Sequence, residues 1–104
     1  MESSQNDAKI LSLLSLAMKA GFITTGEDSC TDAIRTGKAH LVLVATDASN
    51  NTKKKFTNKT TSYKVPLISL FTKDAQSRAI GKDNRTTLAL TNKGFAENIQ
   101  KIIY

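Results

Sequence analysis

Apolar residues near the start of the chain recur at the spacing of an amphipathic helix. Four of them share one face when about 3.6 residues make a turn: Ile10, Leu13, Leu14 and Ala17. Asn6 or Asp7 is a suitable N-cap, and Gly21 is a suitable stop signal. Because Leu11 and Met18 widen the apolar face, the pattern predicts a well-buried first helix.

Short apolar runs between polar segments predict β-strands. The run Leu41–Ala45 is continuously apolar, which is typical of a strand covered on both faces. A second run, Leu67–Leu70, closely follows Pro66, which is tolerated near the start of a strand. We expect both runs to be central strands. The predicted strands cover residues 22–23, 39–45, 65–71 and 87–90.

Two predicted helices flank the first of these central runs. The second helix covers residues 27–36 and is stopped by Gly37. Its inner face consists of three apolar residues: Cys30, Ala33 and Ile34. The third helix covers residues 51–62 and carries a series of lysines. Phe56 and Tyr63 lie seven positions apart on one side of it, and we expect both to be buried.

Two more helices complete the chain. Thr72 can cap a short helix over residues 73–79, and Thr91 or Asn92 can cap the last one. The last helix has a clean apolar face: Phe95, Ile99, Ile102 and Ile103. Alternating helices and strands predict a sheet between two helix layers. The length of 104 residues predicts a single domain, residues 1–104, in which we expect residues 1–5 to be mobile.

The charge distribution points to a polyanionic partner. Fifteen Lys and Arg residues against nine Asp and Glu give a net charge of +6. One segment, residues 51–64, contains no acid and five lysines: Lys53, Lys54, Lys55, Lys59 and Lys64. Such an excess indicates either nucleic acid as a partner or a solvated basic surface, and the pattern alone leaves both open.

Little in the sequence supports catalysis or metal binding. Cys30 is the only cysteine and His40 the only histidine, which excludes an internal disulfide and a multi-cysteine metal site. We expect Cys30 to be a small buried residue and His40 to be a structural or surface residue. Glu27, Asp28 and Asp32 are close in sequence, but acids in the first turn of a helix are stabilised by the helix dipole. We therefore predict no catalytic residue, no metal and no cofactor.

The apolar runs are too short to cross a membrane, since none approaches about 18 residues. The segment Met1–Asp7 is polar and acidic, unlike a secretory signal. These features predict a cytoplasmic protein that does not contact a membrane.

Two stretches of the chain have the order of features of a known group of proteins. In Thr25–Lys55 a glycine precedes a short helix, and a Gly-Lys turn, an apolar strand and an acid-containing loop follow. In Tyr63–Leu90 a Val-Pro strand entry is followed by an Ile-Gly-x-x-x-Arg loop. Together these features resemble the kink-turn-binding ribosomal L7Ae/L30e superfamily over Lys9–Ile103. Within it, the chain looks most like the bacterial YlxQ-type members.

The resemblance implies a three-layer α/β/α sandwich with a four-stranded, partly mixed sheet and RNA binding at one edge. The start of the second helix, residues 26–32, would read tandem sheared G·A pairs, supported by the loops 47–52 and 80–86. The implied RNA-binding residues are Gly26, Glu27, Asp28, Ser29, Asp32, Asn51, Lys54, Lys82 and Arg85. The expected partner is structured RNA, with ribosomal RNA or the ribosome as candidates, and the expected state is a monomer.

Three positions depart from the pattern of kink-turn readers, which carry Asn, Glu and Lys where this chain has Asp28, Ser29 and Asp32. Asp28 accepts hydrogen bonds but does not donate them as Asn does. Ser29 is too short to replace Glu, and Asp32 reverses the charge of a phosphate-facing lysine. We expect weak binding to standard kink-turn RNA. The two other hypotheses are a protein–protein adaptor that has lost RNA recognition and a subunit of an enzyme.

Overall fold

A computed structural model describes residues 2–103, with side chains described from residue 6 onward. The helices are α1 (Glu2–Lys19), α2 (Glu27–Arg35), α3 (Asn50–Tyr63), α4 (Lys73–Ala79) and α5 (Lys93–Ile103). The strands are β1 (Ile23–Thr25), β2 (Leu41–Val44), β3 (Leu67–Ile68) and β4 (Thr87–Leu90). The expectation for residues 1–5 stays a prediction, because Met1 and the side chains of residues 2–5 lie outside the described part.

The four strands form one mixed sheet in the order β1-β4-β2-β3. Strand β4 is antiparallel to both of its neighbours, whereas β2 and β3 are parallel. The expected four-stranded, partly mixed sheet is confirmed.

Strand β3 lies at the edge of the sheet, so the prediction that it is central was wrong. It is also only two residues long instead of spanning residues 65–71. Pro66, directly before it, has no N–H to donate, although its carbonyl accepts from Val42 N at 3.0 Å. A proline at this position is compatible with an edge strand and not with a strand paired on both sides.

Helices cover both faces of the sheet because side chains on a strand alternate between its faces. Leu41 and Leu43 of β2 pack in a core with α1 and α5. Val42 and Val44 of the same strand pack in a second core with α2 and α3. All four residues of β2 are buried, as the continuous apolar run predicted. The structure is therefore a three-layer α/β/α sandwich.

Several predicted caps and helix bounds are confirmed. Helix α2 begins at Glu27, α4 spans the predicted residues, and Thr72 Oγ1 accepts from Ala75 N at 3.1 Å. At α5, Asn92 Oδ1 accepts from Phe95 N at 3.0 Å, which makes Asn92 its cap. Strand β1 lies one to two residues later than predicted.

Two expectations about helices were wrong. Helix α1 begins at Glu2 rather than beside Asn6 or Asp7, because the polar residues before that point include neither proline nor glycine to end a helix. Phe56 is buried as expected, but Tyr63 is 47% exposed. Tyr63 is the last residue of α3, and Lys64, in a left-handed conformation, turns the chain immediately after it.

Candidate functional site

The three segments that the resemblance identifies lie together at one end of the sheet, where strands begin or end. The register pairs Thr25 with Leu88 and Val44 with Thr87, so β1 and β2 end where β4 begins. The start of α2, the β2–α3 connection and the α4–β4 loop therefore emerge together. We call residues 26–32, 47–52 and 80–86 the loop edge.

Gly26 sets the entry of the chain into α2. Its backbone has φ 98° and ψ 151°, a conformation that is essentially restricted to glycine. Its N–H donates to the carbonyl of Thr87 at 3.2 Å, and the Thr25 hydroxyl donates to the same oxygen at 3.1 Å. A Cβ at Gly26 would meet no atom within 4 Å. The open space beside this backbone leaves the first turn of α2 accessible to a ligand.

Glu27 connects α2 to α3 and does not point freely into solvent. Its Oε2 accepts from the Thr52 hydroxyl at 3.3 Å, and its Oε1 is 3.4 Å from Lys55 Nζ. Asp28 and Ser29, the next two residues, are exposed. Glu27 and Asp28 both lie in the first turn of α2, where the helix dipole stabilises negative charge.

Asp32 lies on the exposed side of α2, one turn after Asp28, as the sequence predicted. It pairs with Arg35, three positions further along the same helix. Both side chains are more than half exposed, so the pair contributes little to stability. The pair places the guanidinium of Arg35 beside the carboxylate of Asp32. The spacing of three residues along a helix allows this contact, but the sequence analysis did not predict it.

The β2–α3 connection is fixed by contacts to the start of α4. Asp47 Oδ1 accepts from Lys73 N at 2.8 Å, and Thr46 N donates to the carbonyl of Phe71 at 2.8 Å. Ser49 then caps α3 by accepting from Thr52 N at 3.1 Å. The candidate residues Asn51 and Lys54 follow in the first turns of α3, and both are exposed.

The α4–β4 loop is held by two buried polar residues of α4, which the sequence analysis missed. Gln76 Nε2 donates to the carbonyls of Arg85 and Thr86, each at 2.9 Å. Ser77 Oγ accepts from Arg85 N at 2.8 Å. Polar residues in a short helix carry no sequence signal for such a role, since their partners lie eight to ten positions away.

Within this loop, the two candidate cations differ in exposure. Lys82 is exposed, whereas Arg85 is half-buried. The Nε of Arg85 is buried and has no hydrogen-bond partner among the described residues. The loop thus presents one exposed cation and one guanidinium that the protein partly encloses.

Cys30 lies beneath this edge and is fully buried. Burial raises the pKa of its thiol to about 11, partly offset by the neighbouring Thr87 hydroxyl. A thiol with so high a pKa is a poor nucleophile. Among the described side chains, no three His, Cys, Asp or Glu residues are grouped so as to hold a metal ion. Over the described helices, none has the length and apolar character that a membrane span requires.

The fold places this chain in a class of small α/β/α proteins in which three connecting segments converge at one end of the sheet. The chain belongs to the ribosomal protein L7Ae/L30e/S12e/Gadd45 family, whose model matches residues 8–100. The resemblance drawn from the sequence motifs is therefore confirmed.

Two curated relatives are similar over nearly the whole chain. One is the RNA-binding protein YlxQ of Enterococcus faecium, 41% identical over 98 residues, which cover 94% of each chain. The other is the RNA-binding protein YlxQ of Bacillus subtilis (strain 168), 41% identical over 91 residues, covering 88% of this chain and 91% of the relative.

Two solved structures have the same fold. A protein of unknown function from Bacillus halodurans C has a TM-score of 0.90 and 36% identity, over 92% of this chain and 97% of that one. The Giardia lamblia 15.5kD RNA binding protein has a TM-score of 0.80 and 18% identity, over 95% of this chain and 85% of that one. At 18% identity the second likeness bears on the fold alone.

Proposed function

We propose that the protein binds structured RNA at the loop edge and carries out no catalysis. The observation that carries the proposal is the convergence of three segments at one end of the sheet, with Gly26, Asn51, Lys82 and Arg85 among their residues and Lys54 shortly after the second of them. Membership of a family whose similar members are named RNA-binding proteins supports it. Ribosomal RNA is the candidate partner, and the protein acts as a monomer in the cytoplasm.

The chemistry of the loop edge suits folded RNA. The bare backbone at Gly26 lets a base edge approach the first turn of α2, where unpaired N–H groups donate. Asp28 accepts hydrogen bonds from the amino and imino groups of guanine. Lys82 contacts a phosphate as a point charge, and the terminal Nη groups of the half-buried Arg85 donate to a phosphate or a base.

The edge is poorly suited to a standard kink-turn. The carboxylate of Asp32 faces the side from which a lysine would attract a phosphate, and Arg35 neutralises it only in part. Asp28 does not donate to an acceptor on a base. We propose that the protein binds another structured RNA more tightly than the standard kink-turn.

The decisive experiment compares two proteins on two RNAs. The proteins are the parent and the double variant Asp28→Asn, Asp32→Lys, and the RNAs are a standard kink-turn and a control without the sheared G·A pairs. We expect the parent to bind the kink-turn weakly and with little preference. In the variant, Asp28→Asn adds a hydrogen-bond donor, and Asp32→Lys reverses one charge and removes the ion-pair partner of Arg35. Together we expect these changes to raise the affinity for the kink-turn by roughly tenfold or more.

Two outcomes would contradict the proposal at different levels. Tight, G·A-dependent binding by the parent that the substitutions leave unchanged would show that α2 is not the reading surface. Absence of binding by the parent to any structured RNA at low salt, ribosomal RNA included, would favour a protein–protein adaptor. The exposed acids Asp28 and Asp32 are the feature that supports this second function, since they would suit a basic protein partner.

A further inference from the structure

A shallow groove lies on the surface of α3. We call it the α3 groove; it is lined by Lys55, Asn58, Lys59, Ser62 and Tyr63, and its volume is about 480 Å³. Its lining consists of two cations, one amide, one hydroxyl and one aromatic ring. All five lining side chains end in a polar or charged group, so an occupant with charged and hydrogen-bonding groups suits the groove better than a purely apolar one.

The charge of α3 favours an anionic occupant. The helix carries four lysines and no acid, and Lys64 directly follows it. Lys55 pairs with Glu27, while Lys59 forms no ion pair with any described residue. Lys55 and Lys59 lie one turn apart and both line the groove, and an anion bound between them would relieve their mutual repulsion.

The exposed ring of Tyr63 narrows the choice of anion. It is 47% exposed and is the only aromatic side chain among the large exposed hydrophobic residues of the described chain. Aromatic rings beside cations are the combination with which proteins bind unpaired nucleic-acid strands, because every base has a face that can stack. A duplex does not offer such faces, since its bases are already stacked on each other.

We propose that the α3 groove binds an unpaired RNA segment that extends from the structured RNA held at the loop edge. Lys55 and Lys59 bind successive phosphates, and Tyr63 stacks on a base. The proposal rests on the proposed function for its RNA partner. The groove adjoins the loop edge, because Lys55 contacts Glu27 in the first turn of α2.

The dimensions of the helix fit this assignment. From Lys55 to Tyr63 the helix rises by about 12 Å, at about 1.5 Å per residue. That length corresponds to roughly three stacked nucleotides, at about 3.4 Å each along a strand. The RNA would thus follow α3 from the loop edge towards the opposite end of the sheet.

The test uses hexauridylate as the single-stranded probe, followed by NMR on the 15N-labelled protein and by affinity titration. We expect amide shifts at residues 55–63 and a salt dependence of affinity. Tyr63→Leu should weaken hexauridylate binding by about tenfold, and Tyr63→Phe should retain it. Lys59→Gln should flatten the slope of log affinity against log salt by about 0.7.

Lys93→Gln is the matched control, because it removes one exposed cation on the opposite face of the sheet. The proposal is overturned if hexauridylate does not bind, if Tyr63→Leu binds as well as the parent, or if Lys59→Gln is no weaker than Lys93→Gln. The kink-turn and ribosomal RNA titrations report on the loop edge separately. A protein that binds those RNAs but not hexauridylate retains the proposed function and lacks the groove site.

Discussion

Gly26 is the residue whose backbone conformation fixes the start of α2. Its φ of 98° places an L side chain in a region of high energy, although a Cβ there would touch nothing within 4 Å. We expect Gly26→Ala to lower the free energy of unfolding by about 1–3 kcal/mol through conformational strain alone. Urea denaturation measures this change in the free energy of unfolding, with Ser29→Ala as the control. Equal stability of the two variants would mean that the chain rearranges at α2 without cost.

Cys30 should make the stability of the protein sensitive to alkaline pH. Burial raises the pKa of its thiol from 9.0 in the unfolded chain to about 11 in the folded one. The folded state thus holds the proton more tightly, and this contribution is complete below pH 9 and is lost as the pH rises to 11. We expect the free energy of unfolding to fall more steeply over that range than in Cys30→Ala. Parallel pH profiles for the two proteins would contradict the assignment.

At the residue scale, Tyr63 and Asp32 show what a sequence pattern can and cannot predict. The spacing placed Asp32 on the outer side of α2 correctly, because exposure there follows from helix geometry. Tyr63 is exposed although it lies on the same side of α3 as the buried Phe56, since a position on that side is buried only where another element covers it. At the last residue of α3 that cover is incomplete.

At the scale of elements, α4 holds the α4–β4 loop in place. The side chain of Gln76 is buried and donates to two loop carbonyls. We expect Gln76→Leu, which loses both hydrogen bonds at similar volume, to lower the free energy of unfolding by about 1–3 kcal/mol. It should also accelerate amide hydrogen exchange at Arg85.

The control for Gln76 lies on the same helix. Arg78→Gln removes the ion pair with Asp74, whose two side chains are 80% and 74% exposed. Its effect should stay within about 0.5 kcal/mol, because exposed pairs contribute little. If Gln76→Leu were as mild as Arg78→Gln, the loop would be held by its own backbone rather than by α4.

Signals from residues close in sequence predicted the helices and strands, whereas pairing between distant residues determines the order of the strands in the sheet. The caps at Thr72 and Asn92 lie within three residues of their partners, so the sequence alone predicted where α4 and α5 begin. The order of strands depends on pairing between residues far apart in the chain, such as Val42 with Leu67. For this reason β3 was predicted to exist but was wrongly predicted to be central.

The candidate site was accessible from the sequence only through the resemblance. Composition and spacing alone left a solvated basic surface as an equal alternative. The contacts that shape the site join residues well apart in the chain, as in Glu27 with Lys55 and Asp47 with Lys73. No local pattern encodes such contacts, which is why the supporting roles of Glu27 and Gln76 became apparent only in the structure.

For the molecule as a whole, the net charge of +6 predicts RNA binding that weakens with salt. We expect Lys82→Gln and Arg85→Gln each to weaken binding to ribosomal RNA. Each should also flatten the slope of log affinity against log salt by about 0.9 per lost contact to a duplex phosphate.

Lys93→Gln changes the net charge by the same amount at the end of the sheet remote from the loop edge. It should leave the slope unchanged. If it weakened binding as much as Lys82→Gln, affinity would reflect total charge and not a defined surface.

The bonds that hold the loop edge run mainly through main-chain atoms of Thr86 and Thr87 and through the buried Gln76. The exposed side chains of Asp28, Ser29 and Lys82 are therefore free to vary without disturbing the scaffold. The residues that hold the loop edge in place thus differ from the residues that a ligand would contact, so the specificity of the loop edge can change while the fold is kept. A library randomised at those three positions, selected against a chosen RNA hairpin, should yield folded binders with new specificities at high frequency, whereas one randomised at Gly26 and Gln76 should yield mostly misfolded chains.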